Sequence, residues 1–342
     1  MAIQEDGYIV YTGTYGTEQD QAIQVLTLDK KARFVKQLSA VQGIANPSYV
    51  TVNQKQDTLY ALSEVQDGHV SSYPIDRDTH HVQKSSSQQG DGVEGPCYIM
   101  LDETERYLFV VNYGGGSLSV YRLADDHTIL ELTDHQTYPA GSHPHMIVQI
   151  PGTKRYVVTD LGHDKLYLYE CTEGKLTRIQ ECAATPGSGP RHAAIFPEHR
   201  TLYVVNEFHS QVSVYTYDPT CSSLELVQEI DTIAEPLAVN NYGADIHIAY
   251  ESSFLYTSNR GHDSLSVFHI GDDGLLSYVD HVSTEGKWPR NFVITPDERF
   301  MLIANEKTHS IVVMEIGAEG VPVYTGEQYS IQAPVCLKVF EI

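Results

Sequence analysis

GPCYIMLDETERYLFVVNYGGGSLSVYRL, residues 95–123, holds three short apolar runs parted by two turns. PCYIML and YLFVVN are rich in β-branched and aromatic residues, which fit a pleated, half-buried surface. DETER between them reads as a turn. SLSVYRL alternates apolar and polar positions, the period of a half-buried strand. The same grammar returns along the chain at a spacing of roughly 45 to 50 residues. Its copies begin at Asn46 (NPSYVTVN), Gly95, His143 (HPHMIVQI), Gly189 (GPRHAAIF), Gly243 (GADIHIAY) and Trp288 (WPRNFVIT). Pro47, Pro96, Pro144, Pro190 and Pro289 open the first strand of five copies, and Asp245 takes that place in the fifth unit. A more polar fourth strand follows each unit, as in Leu176 to Ala183 and Leu224 to Ile230.

Four strands per unit at this period indicate a β-propeller. No sustained 3.6-residue apolar period occurs, so almost no helix is expected. The two chain ends set the count. YIVYTGTY, AIQVLTL and FVKQLSA at the N-terminus read as strands two, three and four of a unit. Its missing first strand is APVCLKVF, Ala333 to Phe340, with Pro334 at the repeat's Pro position. Joining the ends closes a seventh blade and leaves no open sheet edge to aggregate. Residues 1–342 are thus expected to form one all-β, seven-bladed propeller of four antiparallel strands per blade.

With 22 basic and 45 acidic residues the net charge is −23, which repels nucleic acid and anionic membranes. Five cysteines at wide spacing, without a CxxC pair, argue against a disulfide framework or a zinc site and fit a reducing cytosol. MAIQEDGYIVYTG carries neither a basic region nor an apolar run, so no signal peptide is expected. No stretch approaches the length of a membrane span.

In a propeller the first strands line a central channel, so equivalent positions of the units converge on one axis. One ring follows the Pro: Ser48, Cys97, His145, Arg191, Ile246, Arg290 and Val335. The next holds Tyr49, Tyr98, Met146, His192, His247, Asn291 and Cys336. Another closes the second strand: Thr14, Glu64, Tyr113, Leu161, Glu207, Arg260 and Glu306, preceded in several units by Asn, as at Asn259. Scaffold positions repeat while these positions do not. Arg191, Arg260 and Arg290 with His145, His192 and His247 form a cationic cluster in an acidic chain, as a small anion in an electropositive pocket would require. His145 with Glu207 offers a base and a carboxylate to orient it or share its work, and a neighbouring Arg could hold an oxyanion. The bland alternative is Arg–Glu pairing that merely ties blades together. HPH at 143–145 supplies too few ligands for a metal, GGGS at 114–117 is a tight hairpin, and no GxSxG occurs.

GSHPH (141–145), GSGPRHAAIFP (187–197), YVVNE (203–207), YTSNRGHDSLSVF (256–268) and PRNFVITPDERFMLIAN (289–305) resemble the lactonase propellers related to bacterial 6-phosphogluconolactonase and fungal carboxy-muconate cyclase. The resemblance covers essentially the whole chain. With a cytoplasmic location and no metal expected from the residues, the resemblance implies a cofactor-free hydrolase that opens 6-phosphoglucono-δ-lactone, a small anionic sugar lactone, with His145, Glu207, Arg191 and Arg260 as catalytic residues. His192, Arg290, His247, Asn259 and Tyr113 are the expected substrate-binding residues. A muconate-type cycloisomerase and a non-catalytic binding propeller are the alternatives, and the residues leave open whether His145 or Glu207 is the base.

Overall fold

Seven antiparallel sheets, six of four strands and one of five, account for most of the chain in a computed structural model that describes residues 6–235 and 239–342. Blade 4 illustrates the plan. Pro190–Phe196, Thr201–Asn206, Gln211–Tyr217 and Leu224–Asp231 pair in that order from the axis outward. Thr201–Asn206 is buried at every position, because both its faces pack against neighbouring blades. That is why TLYVVN is nearly unbroken in apolar character instead of alternating. Leu224–Asp231 faces water and is mostly exposed. Blade 1 departs from the plan, its outer strand being split into His81–Val82 and Ser87–Gln89.

The ring closes as the two chain ends require. Pro334–Glu341 pairs with Gly7–Thr14, from Tyr8 opposite Glu341 to Thr14 opposite Pro334. Turns between first and second strands are tied by a short polar side chain. The Asp102 carboxylate accepts the backbone N–H of Thr104, Arg106 and Tyr107. The only helical pieces among the described residues are two 3-10 turns, Pro197–His199 and Glu306–Thr308. No helix among them is long and apolar enough to cross a membrane.

The innermost strands start with a bulge, and this positions the site. The ladder slips one residue between Pro144 and Met146, between Pro190 and His192, and between Pro289 and Asn291. Neighbouring residues of a regular strand face opposite ways. The bulge lets the first and second residues after Pro both reach the channel, so Arg191 and His192 act at one place.

Register also corrects three expected ring positions. In blade 5 the ladder steps from Gly243–Asn259 to Ile246–Thr257. Gly243 therefore takes the Pro position, and Ala244 and Asp245 hold the two ring positions expected of Ile246 and His247. Glycine is needed there, since a Cβ on Gly243 would lie 2.5 Å from the Asn206 carbonyl oxygen. In the closing blade Thr14 sits opposite Pro334, as Asn206 sits opposite Pro190. The next residue, Tyr15, is the one equivalent to Glu207.

Candidate active site

The Pro end of the channel is a chamber built from strand ends of all blades. Glu207 bridges two of its arginines. Its Oε2 accepts from Arg191 Nε at 2.9 Å and Arg260 Nη2 at 2.8 Å. Arg191 Nη1 also donates to the Ala244 carbonyl, and Arg260 Nη2 to the Gly243 carbonyl at 3.0 Å. Both guanidinium side chains are buried. Burial and the neighbouring Arg191 lower the Arg260 pKa to about 9, so it stays charged near neutrality. Burial raises the Glu207 pKa, but Arg260 and Arg191 outweigh it and hold the carboxyl below its ordinary value.

Arg290 is different. It lies over the Tyr15 ring, 5.5 Å from its centre, and forms no ion pair within 4.0 Å among the described residues. Burial opposes its charge, but Tyr15, Glu64 and Glu306 outweigh burial and raise its pKa. The Tyr15 hydroxyl is held by Glu64 at 3.1 and 3.2 Å. The expected electropositive pocket is thus largely charge-compensated: the three Arg are matched by Glu64, Glu207 and Glu306. What survives of that expectation is one cation, Arg290, without a bound carboxylate.

On the axis lies a small cavity with room for about one water molecule. Ser48, Cys97, His145, Arg191, His192 and Arg290 line it, among others. The His145 ring is 5.0 Å from His192 and 5.7 Å from Tyr113, which in turn stacks on His143 at 4.4 Å. Burial, Arg191 and His192 push the His145 pKa well below its ordinary value. Burial and Arg191 take His192 to about 4 against the opposing pull of Asp245. Both imidazoles are neutral near neutrality.

His145, Arg191, His192, Glu207, Arg260, Arg290 and Tyr113 are therefore brought together. The expected His145–Glu207 pair does not form, because the two guanidinium groups claim the carboxylate. Asn259 stands apart. Its Oδ1 accepts from Thr232 and Asn241, and its Nδ2 donates to Ser264 and Ser266, so the amide has nothing left for a ligand. Asn112 and Asn206 bind hairpin serines in the same way, which makes this Asn part of the repeat's scaffold. His247 lies one pleat further from the chamber and donates to Asp245 Oδ2 at 3.1 Å. The axial residue that the sequence reading placed wrongly is Asp245. Only a count of residues back from the YTSNR strand, allowing for the bulge, would have put it level with His192.

These pKa directions carry a sign for stability. Between about pH 6.5 and 4 the unfolded chain takes up protons on His192 and His145 that the folded chain refuses, so folding stability falls as pH falls. The slope is up to about 1.4 kcal/mol per pH unit for each group. Urea midpoints measured across this window should drop steadily with acid, and a flat profile would contradict neutral burial.

The model of the family described as "Lactonase, 7-bladed beta-propeller" matches residues 9–339. A 6-phosphogluconolactonase of Bacillus subtilis is 32% identical over 97% of this chain and 98% of its own length. The solved structure of a periplasmic gluconolactonase from Pseudomonas aeruginosa superposes with a TM-score of 0.91 at 27% identity, covering 98% of this chain and 99% of that one. A Lactobacillus plantarum protein superposes with a TM-score of 0.88 at 28% identity, covering 98% and 100%.

Proposed function

Because the chain belongs to the lactonase family of seven-bladed β-propellers, we propose that it hydrolyses 6-phosphoglucono-δ-lactone to 6-phosphogluconate. One observation carries the choice of a phosphorylated lactone. Arg290 lines the chamber's cavity with no carboxylate within 4.0 Å among the described residues, while Arg191 and Arg260 are already committed to Glu207. A guanidinium fork fits a phosphate through paired hydrogen bonds.

In this reading the lactone spans the axis. Its phosphate lies against Arg290 on the blade 6 side. Its carbonyl lies near Arg191 and His145 on blades 4 and 3. Arg191 holds the oxyanion that forms when water adds, Arg260 shares the clamp, and Glu207 fixes both guanidinium groups. Tyr113 and His145 wall the sugar. No step calls for a metal or a cofactor. A location in the cytosol is supported by the five free cysteines, Cys97, Cys171, Cys182, Cys221 and Cys336.

The test compares hydrolysis of 6-phosphoglucono-δ-lactone and glucono-δ-lactone, each corrected for spontaneous opening. The phosphorylated lactone should have the higher kcat/KM. Arg290→Met should cost that substrate about 10- to 100-fold in kcat/KM, mostly through KM, because a charge-assisted contact of about 1.5–3 kcal/mol is lost. The unphosphorylated lactone should scarcely notice. Equal rates on both lactones in the wild type would instead favour a plain gluconolactone, the substrate after which the Pseudomonas protein is called a gluconolactonase.

A further inference from the structure

We propose that the axial cavity seats the attacking water, and that His192, oriented by Asp245, takes its proton. This rests on the lactonase reading and names the water-activating group within it. Three residues lining the cavity each carry a buried polar atom without a partner among the described residues: Ser48 Oγ, His145 Nδ1 and His192 Nε2. Each of the three residues is at most 5% exposed. Buried polar groups are almost always bonded, so three orphans around one small cavity mark the place of a polar guest.

Only one of the two histidines has its tautomer set. Asp245 is 2% exposed, and donors surround its carboxylate. Oδ1 meets His192 Nδ1 at 2.7 Å and the Ile246 N–H at 3.1 Å. Oδ2 meets His247 Nε2, the Asn291 amide and the Phe292 N–H. So many donors keep the carboxylate ionised, and an ionised carboxylate only accepts. His192 must then carry its proton on Nδ1, which leaves a lone pair on Nε2, the orphaned atom. Glu207 is a poor competitor, because its oxygen already binds two guanidinium groups. His145 has no comparable partner among the described residues to fix its tautomer.

The step balances without an added reagent. The water oxygen bonds to the carbonyl carbon as its proton passes to His192 Nε2. The carbonyl π pair moves to oxygen, where Arg191 meets it. Collapse restores the C=O and breaks the bond to the ring oxygen, which takes the proton back from His192. The new carboxylic acid releases its own proton to solvent. Asp245 touches no reacting atom. It is a positioning residue that also stabilises the transient imidazolium.

Asp245→Asn tests this. Asn291 and Phe292 keep the amide oxygen on their side, so the new NH₂ faces His192 and drives its proton onto Nε2. Background-corrected kcat should fall at least about 10²-fold with KM little changed. Its pH profile should change too. With the base lost, the variant's rate should climb about tenfold per pH unit as hydroxide replaces it, where the wild type is flat. The groups facing His192 are Arg191, Asp245, His145, Tyr49, Tyr98 and Arg290, and none but Asp245 is altered. His192→Ala should show the same loss. If wild type opens the lactone and both folded variants keep kcat within about threefold, the pair is not the base while the lactonase reading stands. If wild type opens no lactone above the spontaneous rate, the functional reading itself fails. Nitrogen NMR of labelled histidine in the wild type decides even if the variants do not fold. A protonated Nδ1 and bare Nε2 at His192 are expected, and the opposite tautomer overturns the proposal.

Discussion

Arg191→Met should lower kcat for lactone opening about 10²- to 10³-fold, the cost of removing one preorganised donor to an oxyanion. The side chain is nearly as buried as any in the molecule, with 1% of the residue exposed. Its Nε is held by Glu207 and its Nη1 by the Ala244 carbonyl. Two fixed points hold the planar group in one orientation, and Arg191 lines the cavity. A donor already in place needs no reorganisation as charge develops on the carbonyl oxygen, so its loss falls on the transition state. KM should therefore move much less than kcat. Met keeps most of the volume and leaves Glu207 paired with Arg260, so the fold should persist. Arg191→Lys should recover only part of the rate, because an ammonium cannot satisfy Glu207, Ala244 and the substrate through one rigid fork. A folded Arg191→Met enzyme with near wild-type kcat would remove Arg191 from the chemistry and leave it a blade-to-blade tie.

The fold was legible because the chain repeats. Each copy carries the same alternation and turn chemistry, so local preference and global architecture agree. The closing blade was equally readable, since three strands at one end and one at the other are complementary halves of a unit. The site was legible only as far as the alignment of units held. His145, Arg191 and Arg290 follow directly after Pro, and the bulge that carries them to the axis starts at that Pro. Blade 5 has no Pro to mark the register, and the two-residue error there misplaced Asp245. Asn259 misled for a different reason. A repeated polar residue at a strand end resembles a ligand-facing group in one dimension, but its amide is consumed by serines of the next hairpin. Charge balance was hidden as well. Counting Arg in an acidic chain suggests an electropositive pocket, whereas which Arg is left unpaired depends on distances across blades.

Glu207→Ala should cost about 3–5 kcal/mol of folding stability, the usual penalty for stripping the counter-charge from a buried pair. Here one carboxylate serves two guanidinium groups of adjacent blades, at 2.9 and 2.8 Å. Without it, Arg191 and Arg260 face each other buried and unneutralised. Repulsion should push Arg260 toward Trp288, whose ring centre already lies 5.6 Å from its guanidinium carbon. Activity should fall with stability, because Arg191 loses one of its two fixed points. A double-mutant cycle separates a clamp from a base. Arg260→Met added to Glu207→Ala removes one of the stranded charges, so the pair of changes should destabilise by less than the sum of the two alone, by about 0.5–3 kcal/mol. Strict additivity in urea unfolding would mean that Glu207 does not hold Arg260. A Glu207→Gln enzyme that keeps wild-type stability yet loses its rate would restore Glu207 as the base, and His192 would then be left with no proton to take.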